Sequence, residues 1–232
     1  MLYMDNRIIV IGTSHVSKSS IRLVKSSIKA YNPDIVMIEL CNERLESMKK
    51  KKKDKPLKWF FKNYRKIGVG TALFLLILRG FQRLIGKKLG IEPGKEMLTA
   101  YRIAKREKKR VELIDMPMSE ISIRLSRVLG LKGLFSMIIT SIIEGLKSKK
   151  DISIDSIFSD PREEEVEELK KIFKKSNPKL YRVLLEDRNR YMAKKAAKLI
   201  DKNERAVIVV GAAHARDVFM LTKNEIEKNK NQ

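Results

Sequence analysis

The sequence predicts an α/β fold with a central, mostly parallel sheet flanked by helices and a helical insertion in the middle of the chain. Two observations lead to this prediction. Strand patterns recur at residues 7–12, 35–40, 110–115 and 205–210, and the first of them is a short, continuous, β-branched apolar run that is typical of a buried strand. Helical patterns lie between these runs, so successive strands are expected to be parallel and joined by right-handed crossovers.

The first strand and the second enclose one helix. Ser17 caps this helix, and Asn32-Pro33 ends it. Its apolar positions recur at helical spacing, at Ile21, Val24 and Ile28. The segment therefore forms a β-α-β unit.

The middle of the chain differs in composition, and we interpret residues 49–93 approximately as a basic and apolar helical insertion in a single domain of residues 1–232. Residues 49–55 are a charge run, four aromatic residues follow, and residues 68–78 are apolar. This order suits either an amphipathic segment on an anionic membrane surface or a solvated helix end that leads into core helices. A spanning helix needs about 20 predominantly apolar residues, so neither 68–78 nor the charge-interrupted 130–146 predicts one.

The second half resumes the alternation of helices and strands. We expect helices over residues 95–108, 116–129, 131–149 and from 178 to about 200, and a last helix after the fourth strand. Asp160-Pro161, followed by three glutamates, predicts a further helix start, because a capping residue, a proline and acidic side chains all suit a helix N-terminus.

Charge and cysteine content limit the partners and the compartment. A formal net charge of +23 favours anionic membrane surfaces, nucleic acid or acidic peptides as partners, although lysine-rich composition is also typical of thermophilic proteins. Nucleic-acid binding is the least favoured, since no base-reading motif is present. The single Cys41 excludes a disulfide framework, and no secretory signal precedes the first strand. We expect a cytoplasmic or peripheral membrane location.

Both histidines of the chain occupy the same four-residue frame after an apolar run. His15 ends GTSH, and His214 ends GAAH. Glu39 and Asp115 end the two other predicted strands. Because ligands bind beyond the carboxyl ends of parallel strands, these four side chains are expected to face one crevice.

Two imidazoles and a carboxylate are a common ligand set for a catalytic divalent metal. The sequence therefore predicts a divalent metal site that is formed by His15, His214 and one of the two carboxylates, Glu39 or Asp115. Structural roles remain open: Glu39 could pair with Arg44 or Arg188, and Asp115 could cap the next helix.

Four stretches of the chain, residues 11–48, 94–125, 184–200 and 207–214, resemble the TraB/PrgY family, which is related to the GumN and Tiki proteins and shares the EreA/ChaN-like fold. The paired G-x-x-H frames and the intervening glutamate and arginine carry the resemblance. Tiki proteins are metal-dependent peptidases that use two such motifs and a glutamate. The resemblance thus implies a metal site at His15, His214 and Glu39.

It also implies roles for neighbouring residues. Arg44 matches the arginine after the glutamate, and Glu186, Asp187 and Arg188 match an acidic and basic segment. We expect Glu186 or Asp187 to complete the metal shell or act as the general base, and Arg44 or Arg188 to steady an oxyanion or a substrate carboxylate.

These expectations define two hypotheses. The first is a metal-dependent, peptidase-like hydrolase that acts on a peptide or protein with Mn, Co or Zn. The alternative is a non-catalytic peptide-binding or membrane-associated regulator, as in the pheromone shutdown linked to PrgY-like relatives. Such relatives usually carry a C-terminal membrane region, so we expect either a soluble member or a full-length protein with that region.

Overall fold

The structure, a computed structural model, describes residues 1–13, 18–49, 94–125, 127–128 and 162–230, together with residues 60, 61, 64, 65, 68, 69, 72 and 76. The strands in these ranges are β1 Leu2–Met4, β2 Ile8–Thr13, β3 Ile35–Ile38, β4 Arg110–Leu113 and β5 Ala206–Gly211. The longer stretches of α-helix in these ranges are α1 Lys18–Tyr31, α2 Asn42–Lys49, α3 Lys95–Arg106, α4 Glu163–Ser176, α6 Asp187–Leu199 and α7 Ala212–Lys230, and α5 is a single turn, Pro178–Tyr181. Residues 118–125 are also helical, and a π-helical segment, Arg182–Glu186, joins α5 to α6.

The strands form one sheet in the order β1-β2-β5-β3-β4. The four predicted strands run parallel to one another, and β5 lies between β2 and β3. The prediction of an α/β fold with a mostly parallel sheet is therefore confirmed. The additional strand, β1, pairs antiparallel with β2 at the edge of the sheet.

Helices cover both faces of the sheet, which explains why the strand sequences are apolar without alternation. On one face, α1 and α3 pack against alternate strand residues, among them Ile9, Ile11, Val36, Ile38, Val207 and Val209. On the other face, α6 and α7 pack against Ile8, Val10, Ile35, Met37, Ile208 and Val210. The three central strands, β2, β3 and β5, each contribute side chains to both cores.

Besides β1, the structure differs from the sequence-based expectations in two places. The helix α2 follows β3 directly, where no helix was expected, and the single helix expected from 178 to about 200 is divided into α5, the π-helical segment and α6. π-helical turns occur often at functional sites. This one lies immediately before Arg188.

Several expectations concern residues outside the described part. They include the Asp160-Pro161 helix start, the helix over residues 131–149 and most of the insertion at 49–93. Within the described residues, α4 begins at Glu163, and the Glu165 carboxylate accepts a hydrogen bond from the Arg162 N–H at 3.0 Å. No helix in this part of the chain is both long and apolar enough to cross a membrane.

Candidate functional site

The carboxyl ends of the parallel strands bring three of the four predicted side chains to one edge of the sheet. Glu39 comes directly after β3, Asp115 lies two residues after β4, and His214 lies in the first turn of α7, which follows β5 without a loop. Backbone hydrogen bonds continue past the strand ends, from the Glu39 N–H to Val209 and from the Asp115 N–H to Leu40. His15, which would follow β2, lies outside the described residues.

Two glycines permit the close packing of this edge. A Cβ atom at Gly12 would lie 2.8 Å from the Ala215 Cβ, so the glycine lets α7 pack directly on β2. A Cβ atom at Gly211 would lie 3.4 Å from Glu39 Oε2. The Gly211 N–H instead donates to that oxygen at 2.7 Å. The glycine of the second G-x-x-H frame thus binds the predicted glutamate through its backbone.

Arg188 lies at the centre of the site. Its Nε and Nη2 atoms donate to both Asp115 oxygens at 2.9 and 2.8 Å, and Nη2 also donates to Glu39 Oε1 at 2.5 Å. Its Nη1 atom lies 3.1 Å from His214 Nε2 and donates to the Leu184 carbonyl at 3.3 Å. These five contacts match the five N–H groups of a guanidinium. Arg188 therefore has no donor left for a substrate in this arrangement.

A second arginine lies at the rim. Arg44, from the first turn of α2, places Nη1 3.6 Å from Asp115 Oδ2, and about a third of its side chain is exposed. The Asp115 side chain itself is fully buried. The two carboxylates of the site, Glu39 and Asp115, are thus balanced by two guanidiniums, one buried and one accessible.

The electrostatics favour an ionised glutamate and a neutral histidine. Burial raises the pKa of Glu39, but the charge that His214 carries when it is protonated, the Arg188 guanidinium and the Gly211 N–H lower it, and the resulting pKa is about 2. Burial lowers the pKa of His214; Glu39 opposes this shift, and Arg188 reinforces it. Because both the burial and the adjacent guanidinium disfavour imidazolium, His214 is neutral at pH 7.

The position of the imidazole follows from the contacts of its two nitrogen atoms. His214 Nδ1 lies 2.5 Å from Asn189 Oδ1, and Nε2 lies 3.5 Å from Glu39 Oε1 as well as 3.1 Å from Arg188. A guanidinium can only donate, so Nε2 accepts and its lone pair points into the site. That is the form in which a histidine acts as a metal ligand or a base.

Glu186 and Asp187 lie beside the site and bind other partners. Glu186 accepts from Lys174 Nζ at 2.9 Å, and Asp187 accepts from Arg124 Nη1 at 2.8 Å. Their expected roles as an additional ligand or as the base would require them to leave these ion pairs. Those roles stay predictions.

The sequence reasoning overlooked four polar residues near this edge. Asn189 and Asp217 contact each other and extend the site behind His214, and Lys170 contacts Asp217. Glu96, in the first turn of α3, has a buried Oε2 atom without a hydrogen-bond partner among the described residues, and burial raises its pKa. The spacing of His214 and Asp217, three residues apart on one helix, was an available signal, because such residues share a helix face.

The residues that the structure describes contain no group of three His, Cys, Asp or Glu side chains close enough to hold a metal ion. They do contain two suitable donors, His214 Nε2 and Glu39 Oε1. Their separation of 3.5 Å is close to the edge of about 3.4 Å in a tetrahedron with ligand distances of about 2.1 Å. The two donors therefore fit one ion, although both now contact the Arg188 guanidinium.

A doubly covered parallel sheet with a buried Glu-Arg-His cluster at the strand ends defines an α/β protein with a polar site in the expected crevice. A family model of the TraB/PrgY/gumN family matches residues 3–218. The chain belongs to this family.

Relatives in two domains of life support this assignment. An uncharacterized protein of Methanocaldococcus jannaschii is 33% identical over 221 residues, which cover 93% of this chain and 53% of that protein. A TraB domain-containing protein of Bos taurus is 26% identical over 208 residues, with 84% and 54% covered. The chain thus spans about half the length of these curated relatives.

Proposed function

We propose that the chain is a metal-dependent hydrolase of peptide bonds. The observation that carries the proposal is the pair of converging donors, His214 Nε2 and Glu39 Oε1, separated by 3.5 Å at the carboxyl edge of the sheet. His15, from the other G-x-x-H frame, is the proposed third ligand. A divalent ion held there would lower the pKa of a water molecule and polarise the scissile carbonyl.

The chain's own residues would divide the remaining tasks. Arg44 is the better candidate to bind an oxyanion or a substrate carboxylate, because it is accessible and makes one long contact with Asp115. Arg188 would organise the site, since its N–H groups already contact Glu39, Asp115, His214 and the Leu184 carbonyl. The Arg188 guanidinium contacts both proposed donors, so ion binding requires it to withdraw from them. The Arg188 guanidinium would keep its hydrogen bonds to Asp115.

Metal analysis combined with a peptide-library cleavage assay tests the proposal. We expect the full chain, purified without chelator, to hold Mn, Co or Zn and to cleave peptides. His214→Ala and Glu39→Gln should lose both properties. Glu204→Gln, which alters an exposed ion pair with Arg110 at the opposite edge, should retain both. Absence of bound metal together with absence of His214-dependent cleavage would refute the proposal.

A peptide-binding regulator without catalysis is the second candidate, because Arg188 already satisfies both carboxylates without a metal. Fluorescence anisotropy with a labelled acidic peptide separates the candidates. Binding that persists in chelator and weakens in Arg44→Met, without cleavage, would favour the regulator.

Association with an anionic membrane surface belongs to this second candidate and rests on the basic segment at residues 49–55. Co-sedimentation with phosphatidylserine vesicles tests it. We expect salt-sensitive binding that is lost when Lys49 to Lys53 are neutralised. Equal binding to neutral vesicles would contradict this role, and a cytoplasmic location without membrane contact would then be the proposal that stands.

A further inference from the structure

A chain of polar contacts leads away from His214 on the side opposite Glu39. His214 Nδ1 meets Asn189 Oδ1, Asn189 Nδ2 donates to Asp217 Oδ2 at 2.9 Å, and Lys170 Nζ donates to the same oxygen at 2.9 Å. The participating residues come from three helices, α4, α6 and α7. No part of the proposed chemistry uses Asp217 or Lys170.

The chemistry of the two ends fixes which group donates and which accepts in each hydrogen bond of this series. Lysine and arginine only donate hydrogen bonds, and an ionised carboxylate only accepts them. Asp217 therefore requires the NH₂ group of Asn189, which turns the Asn189 oxygen toward His214. An oxygen at that position requires an N–H at Nδ1.

The other end of the imidazole imposes the same choice independently. His214 Nε2 faces Arg188 Nη1 at 3.1 Å, and a donor at that position requires a lone pair on Nε2. A reversed Asn189 amide would place its oxygen against the Asp217 carboxylate, and the other imidazole tautomer would place two donors against each other. Only one arrangement satisfies every contact.

We infer that Asp217 is a positioning residue that, together with Lys170, orients the Asn189 amide and fixes His214 in the Nδ1–H tautomer with the Nε2 lone pair facing Glu39 and Arg188. Asn189 is 2% exposed and Lys170 is 7% exposed. The Asp217 side chain is 35% exposed, so its two donors lie on the buried side of the carboxylate, and the contact between Asn189 and His214 is the one most sheltered from water.

Lys170 supplies the charge that holds Asp217 in this role. Burial lowers the pKa of Lys170, but hydrogen bonds to Glu167 and Asp217 outweigh it and raise the pKa. The lysine is thus charged, and it balances the Asp217 carboxylate at the same oxygen that accepts from Asn189. Most of the acidic and basic residues of helix α4 suit a solvent-facing helix. Lys170 is the residue by which α4 contacts Asp217.

The importance of this tautomer for catalysis rests on the proposed function, whereas the tautomer itself does not. Outer hydrogen-bond partners of this kind orient ligating histidines and fix the tautomer that binds a metal. In a non-catalytic protein, the same contacts would still present an acceptor to the crevice.

Long-range ¹H–¹⁵N correlation spectra of the full chain in chelator test the inference. The chain has two histidines, so a His15→Gln variant leaves only the His214 resonances. In wild type, we expect Nδ1 to resonate as a protonated nitrogen and Nε2 as an unprotonated one. Asp217→Ala should lower the ratio of the Nδ1–H to the Nε2–H tautomer by about fivefold or more, the effect of one typical hydrogen bond.

Glu167→Gln is the matched control, because it alters the other partner of Lys170 and should leave the tautomer unchanged. Asn189→Ala, which removes the middle link, replaces Asp217→Ala if that variant does not fold. Detection of the Nε2–H tautomer in wild type, or an unchanged ratio in the folded Asp217 or Asn189 variant, would overturn the inference. Neither measurement requires turnover or metal, so failure of the proposed hydrolase would be recognised separately.

Discussion

Replacement of Arg188 with methionine should destabilise the fold strongly, because it leaves two carboxylates buried without their main partner. The side chain is 13% exposed and contacts both oxygens of Asp115 and one of Glu39. Loss of one partner of a buried ion pair costs about 3–5 kcal/mol. Arg44, 3.6 Å from Asp115, compensates in part, so we expect a loss of about 3 kcal/mol.

Urea denaturation of the full chain in chelator, followed by circular dichroism, measures this loss without a contribution from metal binding. Arg124→Met is the control, since Arg124 also binds two carboxylates but is 38% exposed, and exposed pairs are worth about 1 kcal/mol or less. Adding Glu39→Gln to Arg188→Met should restore part of the stability, because a neutral amide costs less to bury than an unpaired charge. A loss in Arg188→Met no larger than in the control would refute this reasoning.

Three further outcomes follow from the site. Glu39 has a pKa of about 2, below its usual 4.5. The free energy of unfolding of wild type should therefore exceed that of Glu39→Gln by its full amount above about pH 4.5, and this difference should shrink as the pH falls toward 2. A difference that stays constant in urea titrations across this range would contradict the prediction. Gly12→Ala should cost about 1–3 kcal/mol in thermal or urea unfolding, since the new Cβ meets Ala215 at 2.8 Å; a neutral effect would show that α7 moves freely. Arg44→Met should weaken peptide affinity about tenfold, the lower end of the range for a hydrogen bond to a charged group, with the free energy of unfolding changed by less than about 1 kcal/mol; unaltered affinity in anisotropy titrations would remove Arg44 from the site.

The sequence was sufficient for the parallel sheet because β2, β3 and β5 are buried almost throughout and are therefore apolar over nearly their whole length. The edge strand β1 has three residues with two of them exposed, which leaves no comparable pattern. Helix α2 was overlooked for a similar reason, since Leu45 is its one buried residue. A strand or helix that buries few side chains shows little hydrophobic periodicity in its sequence.

The candidate site was predictable up to the ends of the strands. Glu39 and His214 meet there because each follows a parallel strand, and the alternative pairing of Glu39 with Arg188 is also present in the structure. Asn189 was beyond reach, because it lies on an amphipathic helix, where a polar side chain ordinarily indicates a solvent-facing position. The packing of α6 on α7 buries it to 2% exposure. Asp217 keeps a side chain that is 35% exposed, and its three-residue spacing from His214 was the one signal in the sequence.

The placement of β5 between β2 and β3 has a consequence for synthesis of the protein. The strand that completes the sheet is Ala206–Gly211, so a nascent chain must be synthesised to residue 211 before the two halves of the sheet can join. Until then, β2 and β3 each present an unpaired apolar edge, a feature that promotes aggregation. The joining contacts span up to about 200 residues, and contacts that distant slow folding. The same late step creates the crevice, since His214 arrives with β5 and no incomplete chain can assemble the cluster.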